Sequence, residues 1–167
     1  MLKKLLRIGP LWIILLYRYG RWLHIHFKVP VIKTILGIPY SVITNVLEII
    51  LGIHIPWTAD IGKGFYIGHF GGIWLGNIKM GEYCNISQGV TIGIGGRGEF
   101  RGVPEIGDRV YIGPGAKIFG KIRIGNNVAI GANAVVSKSL PDNAVAVGNP
   151  ARIVGYEGSS EVIMLQE

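Results

Sequence analysis

From residue 106 onward an aliphatic side chain recurs every six positions, at Ile106, Ile112, Ile118, Ile124, Ile130 and Val136. The same spacing runs upstream through Ile61, Ile67 and Ile73, and, after a one-residue insertion, through Met80, Ile86 and Ile92. Two residues before these stand Ala59, Phe65, Gly71, Ile78, Cys84, Val90, Pro104, Val110, Ala116, Ile122, Val128 and Ala134, all apolar or small. Both sets are predicted to face inward. A period of six suits neither a helix nor an alternating strand. It suits a solenoid, in which three hexapeptides make one coil and each short strand stacks about 4.8 Å from its copy in the next. Glycines would supply the tight corners. About five triangular coils fill residues 55–136 once residues 94–105, which break the period, are set aside as a protruding loop. Residues 54–155 are therefore predicted to form an all-β solenoid domain.

The first 53 residues follow another pattern. Lys3, Lys4 and Arg7 precede an apolar run, Leu11 to Tyr17, with no small-residue cleavage site after it. That run is far shorter than the ~20 residues that cross a bilayer. The next apolar stretch, Val29 to Ile55, is interrupted by Pro30, Lys33, Pro39, Asn45 and Glu48, which predicts two short helices around Pro39. Residues 1–53 thus read as a helical segment. The tail, 156–167, holds a short apolar group, Val162-Ile-Met-Leu165, read as a strand on a neighbour or as disordered.

Composition sharpens this picture in three places. Glycine takes 26 of 167 positions, about twice the usual ~7%, without the proline of a disordered chain, so the glycines have a structural task. The single cysteine, Cys84, excludes an internal disulfide framework and makes a reducing cytosol the default. Its inward-facing position, in a row with Ile78 and Val90, makes it a packing residue and opposes a role as a nucleophile. Of the net charge of +7, residues 1–53 carry +6, from Lys3, Lys4, Arg7, Arg18, Arg21, Lys28 and Lys33 against Glu48 alone. Cations among Trp12, Tyr17, Tyr19 and Trp22 point to an anionic membrane surface or a protein interface, and not to nucleic acid. The expected location is cytoplasmic, peripheral on the inner face of the membrane.

The repeat [LIV]-G-x4 resembles that of the hexapeptide-repeat acyltransferases. Within them the stretch Ile53 to Gly155 is similar to the serine acetyltransferase branch, through I-G-K-G-F-Y-I-G-H at 61–69, S-Q-G-V-T-I-G at 87–93 and G-N-P-A-R-I-V-G at 148–155. The resemblance implies a left-handed parallel β-helix, a handedness that the general rule for crossovers would not give. It also implies an acetyl-CoA-dependent O-acyltransferase needing no metal, and a homotrimer with CoA lying between prisms. The first 50 residues do not resemble the long helical domain of the cysteine-biosynthesis enzymes.

Acyl transfer to a hydroxyl needs a base, and neutral imidazole suits that task near pH 7. Of His24, His26, His54 and His69, only His69 sits inside the repeat at an outward position, and it matches the family's catalytic histidine. In the serine enzymes an aspartate fifteen residues earlier orients that histidine; here the position is His54. His54 is expected to orient or tune His69, the alternatives being another acid such as Asp60 or Glu82 in that role or no orienter at all, with His54 then a plain cap at the entry to the prism. The resemblance places CoA against Gly113 and Pro114, Gly131 and Ala132, Ser137 and Lys138, and Arg152, the two cations being suited to its phosphates. The serine enzymes also carry a histidine just before the proline that ends the loop, and here Val103 precedes Pro104. The loop is instead flexible and basic, Gly95-Gly-Arg-Gly-Glu-Phe-Arg-Gly102, and lacks the Gly-Lys-Ser/Thr ending of a phosphate loop. These departures and the basic, aromatic N-terminus make a saccharide hydroxyl of surface or exopolysaccharide biosynthesis the expected acceptor. Serine O-acetylation in cysteine biosynthesis is the alternative, and a non-catalytic scaffold is the third reading.

Overall fold

The computed structural model describes residues 9–26 and 30–162. Two helices, α1 (Gly9–His26) and α2 (Pro30–Leu51), precede a stack of strands that begins at Ile53. Three sheets run along that stack. Face A orders β1 (Ile53–His54), β4 (Ile73–Leu75), β7 (Thr91–Gly93), β10 (Lys117–Phe119) and β13 (Val135–Val136). Face B orders β2 (Asp60–Ile61), β5 (Lys79–Met80), β8 (Glu105–Ile106) and β11 (Arg123–Ile124). Face C orders β3 (Tyr66–Ile67), β6 (Asn85–Ile86), β9 (Tyr111–Ile112), β12 (Ala129–Ile130) and β14 (Val145–Val147), all parallel, and is closed by the antiparallel β15 (Arg152–Gly155). Strand follows strand through A, B and C in turn, so the chain winds around three sides. All twelve residues of the six-residue series are buried, and they form one core along the axis.

Register explains the glycine that follows so many of these aliphatics. A Cβ on Gly62 would lie 2.7 Å from the Gly81 carbonyl, and one on Gly107 would lie 2.9 Å from the Gly125 carbonyl. These glycines let successive coils approach. Corner geometry asks for something else: between faces B and C the left-handed backbone falls on Gly64, Tyr83, Arg109, Asn127 and Asn143. Glycine is thus one of several residues turning that corner, contrary to the expectation that glycines make the corners. Side-chain caps brace its flank, with Asp108 accepting from the Glu82 amide, Asn126 from the Asp108 amide and Asp142 from the Asn126 amide, each at 2.8 Å.

The spacing was misplaced at one point. Eight residues separate Ile67 from its inward successor Leu75, where six separate Ile86 from Ile92, so the corner at 68–72 carries two extra residues. Ile73 and Leu75 both point in, and Gly71, expected inward, lies on the corner instead.

The first strand of face B would present unpaired backbone to solvent, a hazard for any open sheet edge. Helix α1 covers it. Tyr17 Oη donates to the Ala59 carbonyl (2.9 Å) and accepts from the Ile61 amide (3.1 Å). Arg18 donates to the carbonyls of Ile61 (2.5 Å) and Gly62, and Arg21 donates to the Thr58 carbonyl (3.2 Å) and to Asp60 (2.6 Å). Helix α2 then packs on α1 where Gly20 leaves room for the Tyr40 ring, which stacks on Trp57 at 5.3 Å. It is one helix and not two. Pro30 opens it where a missing amide hydrogen is harmless, and Pro39, expected to break it, is carried inside it. The inner stripe on either side of Pro39, with Tyr40 buried and Leu36, Thr44 and Leu47 half-buried at helical spacing, favours a continuous helix over the break that proline alone would impose. Residues 163–165 of the tail's apolar group lie outside the described residues.

Substituting Gly107→Ala should destabilise the coil by about 1–3 kcal/mol, because the new methyl group meets backbone on the next coil. Gly93→Ala, where a Cβ meets nothing within 4 Å, should leave stability unchanged in the same urea titration.

Candidate active site

Because face C stacks in register, residues two places after β6, β9 and β12 fall in a row along one edge of the prism. Ile86 pairs with Ile112 and Ile112 with Ile130, so the row reads Gln88, Pro114, Ala132, and the Gly89 amide bonds the Gly71 carbonyl, which makes Gly71 its first member. His69 lies off that row at the same edge, exposed, on the corner that carries the two extra residues, next to the exposed Phe70. Pro114 follows two coils along and Ala132 three, or about 10 and 14 Å at the usual strand spacing. Gly113 and Gly131 lie just inside the same edge, Gly113 buried and Gly131 half-buried. The other predicted donor contacts fall elsewhere. Ser137 and Lys138 follow β13 at the opposite edge of face A, and Arg152 is exposed on β15.

Between those two edges face A presents His54, Trp74, Thr91, Lys117 and Val135 outward in register. His54 is firmly held. Its Nδ1 bonds Glu48 Oε2 of α2 at 2.9 Å, and its ring stacks on Trp74 with centroids 4.0 Å apart and planes at 15°. The acids offered by the sequence are engaged differently: Asp60 pairs with Arg21 at 2.6 Å and Glu82 with Lys63 at 3.3 Å. Glu48 escaped the sequence reading because it lies in the helical segment, and only the tertiary fold brings it onto the first strand. Lys117 escaped too, since its position in the repeat looks like ordinary solvated surface. It reaches back one coil to the Gly89 carbonyl (2.5 Å) and Thr91 Oγ1 (3.0 Å). Among the described residues no group of three or more His, Cys, Asp or Glu side chains comes together as a metal would require.

The loop leaves face A after β7 and rejoins at β8, and its base is clamped by reciprocal Gly95–Gly102 backbone bonds of 3.0 Å. Arg97, Arg101 and Phe100 are exposed on it, with a short 3-10 turn over Gly98–Phe100. Val103 is half-buried against the core. Face B, by contrast, shows an alternation of Asp60, Lys79, Glu105 and Arg123 around a depression of about 500 Å³, lined by neither histidine of the expected site nor by the expected donor contacts.

A profile of the bacterial transferase hexapeptide family (six repeats) matches residues 104–138. A serine acetyltransferase of Synechococcus elongatus is 34% identical over 143 residues, 85% of this chain and 55% of that protein. The chain is similar to the hexapeptide-repeat transferases and, within them, to the serine acetyltransferases. Among solved structures, the Neisseria gonorrhoeae serine acetyltransferase in complex with serine superposes with a TM-score of 0.73 at 31% identity, covering 90% of this chain and 59% of that one. The Brucella abortus enzyme in complex with coenzyme A gives 0.72 at 32% identity, covering 87% and 55%. This hexapeptide-repeat chain therefore spans a little over half the length of these relatives.

The comparisons overturn the expected saccharide acceptor of polysaccharide biosynthesis, since relatives at this identity carry the name serine acetyltransferase. The physical error was to read an acceptor from a basic N-terminal segment. Two of its arginines, Arg18 and Arg21, are spent on the edge of face B, and where a protein rests does not specify which hydroxyl it acylates.

Cys84 is fully buried, donates to the Gly107 carbonyl at 3.2 Å, and burial pushes its thiol up to about 12. Iodoacetamide near pH 8 should leave it unmodified in the folded protein and label it fully once urea unfolds the coil, as followed by mass spectrometry.

Proposed function

We propose that this chain transfers an acetyl group from acetyl-CoA to the side-chain hydroxyl of serine, with His69 as general base. The observation that carries the reading is the shared edge, where the bulged corner bearing His69 stands at the start of the row that holds Pro114 and Ala132 in register. A donor laid along that edge, its pantetheine running past Ala132 and Pro114, brings its thioester to the imidazole. His69 removes the serine hydroxyl proton as the oxygen attacks the thioester carbonyl. The C–S bond then breaks, and the protonated imidazole returns the proton to the leaving thiolate. Direct transfer fits the burial of Cys84.

His54 acts in this reading as a positioning residue, its ring fixed by Glu48 and Trp74 at the start of face A. Glu48 then supplies the negative charge that the serine enzymes draw from an aspartate. Arg97 and Arg101, exposed on the loop, offer cations for the serine carboxylate in place of the histidine replaced by Val103. Ser137 and Lys138, across face A from the His69 edge, and Arg152, beside Val147 at the end of β14, serve the donor's phosphate end. The winding is left-handed, as in the family, and three copies assemble in the cytoplasm with the donor lodged between prisms.

Acetyl-CoA with L-serine should release free thiol at a rate that rises with serine concentration, and His69→Ala should lower that rate by ~10²–10⁴-fold with donor binding retained. Serine-independent thiol release would refute the acceptor. Full activity in His69→Ala would refute the base, and failure of acetyl-CoA to bind at all would leave the coil a scaffold.

A further inference from the structure

Helices α1 and α2 each carry two apolar stripes where docking on the coil uses one. On α1, Ile13, Tyr17, Gly20 and Leu23 are buried, while Trp12, Leu15, Tyr19 and Trp22 face solvent at the same helical spacing. On α2, Tyr40 is buried and Leu36, Thr44, Leu47 and Leu51 are half-buried, while the outer face exposes Ile35 at 63%, Ile49 at 84% and Ile50 at 66%, with Ile38, Val42 and Val46 between them. Apolar surface this continuous on a folded protein marks a contact with something else.

Charge selects the occupant. No acid occurs before Glu48, and Glu48 is held by His54, whereas Lys3, Lys4 and Arg7 immediately precede α1 and Lys28 and Lys33 flank the link to α2. Two copies meeting through this segment would bring like charges together, while an anionic surface would attract them. The outer stripes also combine aliphatics with Trp12, Tyr19 and Trp22, rings favoured at the boundary between headgroups and acyl chains.

The window Thr34–Leu51 has a mean hydropathy of 1.7, enough by length and composition to cross a bilayer. Three contacts oppose crossing. Tyr40 stacks on Trp57, Glu48 bonds His54, and Gly52 alone separates α2 from β1. A helix tied to the coil at those points lies along a membrane and does not pass through it.

We propose that the outer face of the α1–α2 pair seats the protein flat on an anionic lipid surface, with aliphatic and aromatic side chains among the acyl chains and the flanking lysines and arginines at the headgroups. The full chain should co-sediment with vesicles of phosphatidylcholine containing phosphatidylglycerol and hardly at all with phosphatidylcholine alone. Binding should weaken about tenfold or more between low and roughly half-molar salt. A triple variant, Ile35→Gln, Val42→Gln and Ile49→Gln, should lose vesicle binding while keeping its thermal unfolding midpoint and its rate of thiol release. Lys3→Gln, Lys4→Gln and Arg7→Gln together should weaken binding to the anionic vesicles only. Equal binding to both vesicle types would overturn the role of charge. No vesicle binding, with sedimentation showing a self-associated species that the triple variant dissociates, would overturn the lipid and make a second copy the occupant.

Discussion

Strands of two or three residues have no stability of their own. Each exists because its amides and carbonyls are met by the coil before and the coil after, as when Asn85 N bonds the Val110 carbonyl and Tyr111 N bonds the Val128 carbonyl. The interior is equally shared, since each buried isoleucine rests on its copies one coil away. Such a stack is stable in its middle and exposed at its ends, so the ends have dedicated structures. Tyr17, Arg18 and Arg21 serve the first coil from outside the repeat. At the other end β15 turns back on β14, and Ser159 is buried with its hydroxyl bonded to the Arg109 carbonyl and Asn127.

The same indexing that builds the core also arranges the surface. Inward residues are fixed by packing, so outward ones fall into straight rows whose members lie far apart in sequence. Gln88, Pro114 and Ala132 share such a row, and His54 begins another. The corner that bears His69 departs from the rule by two residues, which lifts the imidazole and Phe70 clear of the prism. A site placed there borrows the rigidity of the stack while keeping the freedom of a bend.

The period of six exposed the core, the coil count and the loop because burial recurs with chain position, and every aliphatic in the series is buried. Features that depend on contacts between distant segments were invisible. Glu48 sits in a helix whose pattern shows an ordinary surface acid, yet folding sets it against His54. The glycine after many of the aliphatics suggested turning, where its task at Gly62 and Gly107 is to admit the next coil's backbone. Pro39 signalled a break because proline is read locally, while the docked face on either side of it decides the outcome. Basic character in the first segment suggested a membrane surface or a protein interface, and two of its arginines prove to be satisfied internally.

Gly95 and Gly102 bond each other across the base of the loop, and Glu105 then pairs with Lys79 as though nothing had intervened. Between the two glycines the loop meets the winding through the Phe100 carbonyl, which accepts from the Lys121 amide at 3.1 Å. The six residues inside that clasp can be rewritten at little thermodynamic cost as long as that bond is kept. Transplanting this segment between relatives is the natural engineering experiment that the architecture invites.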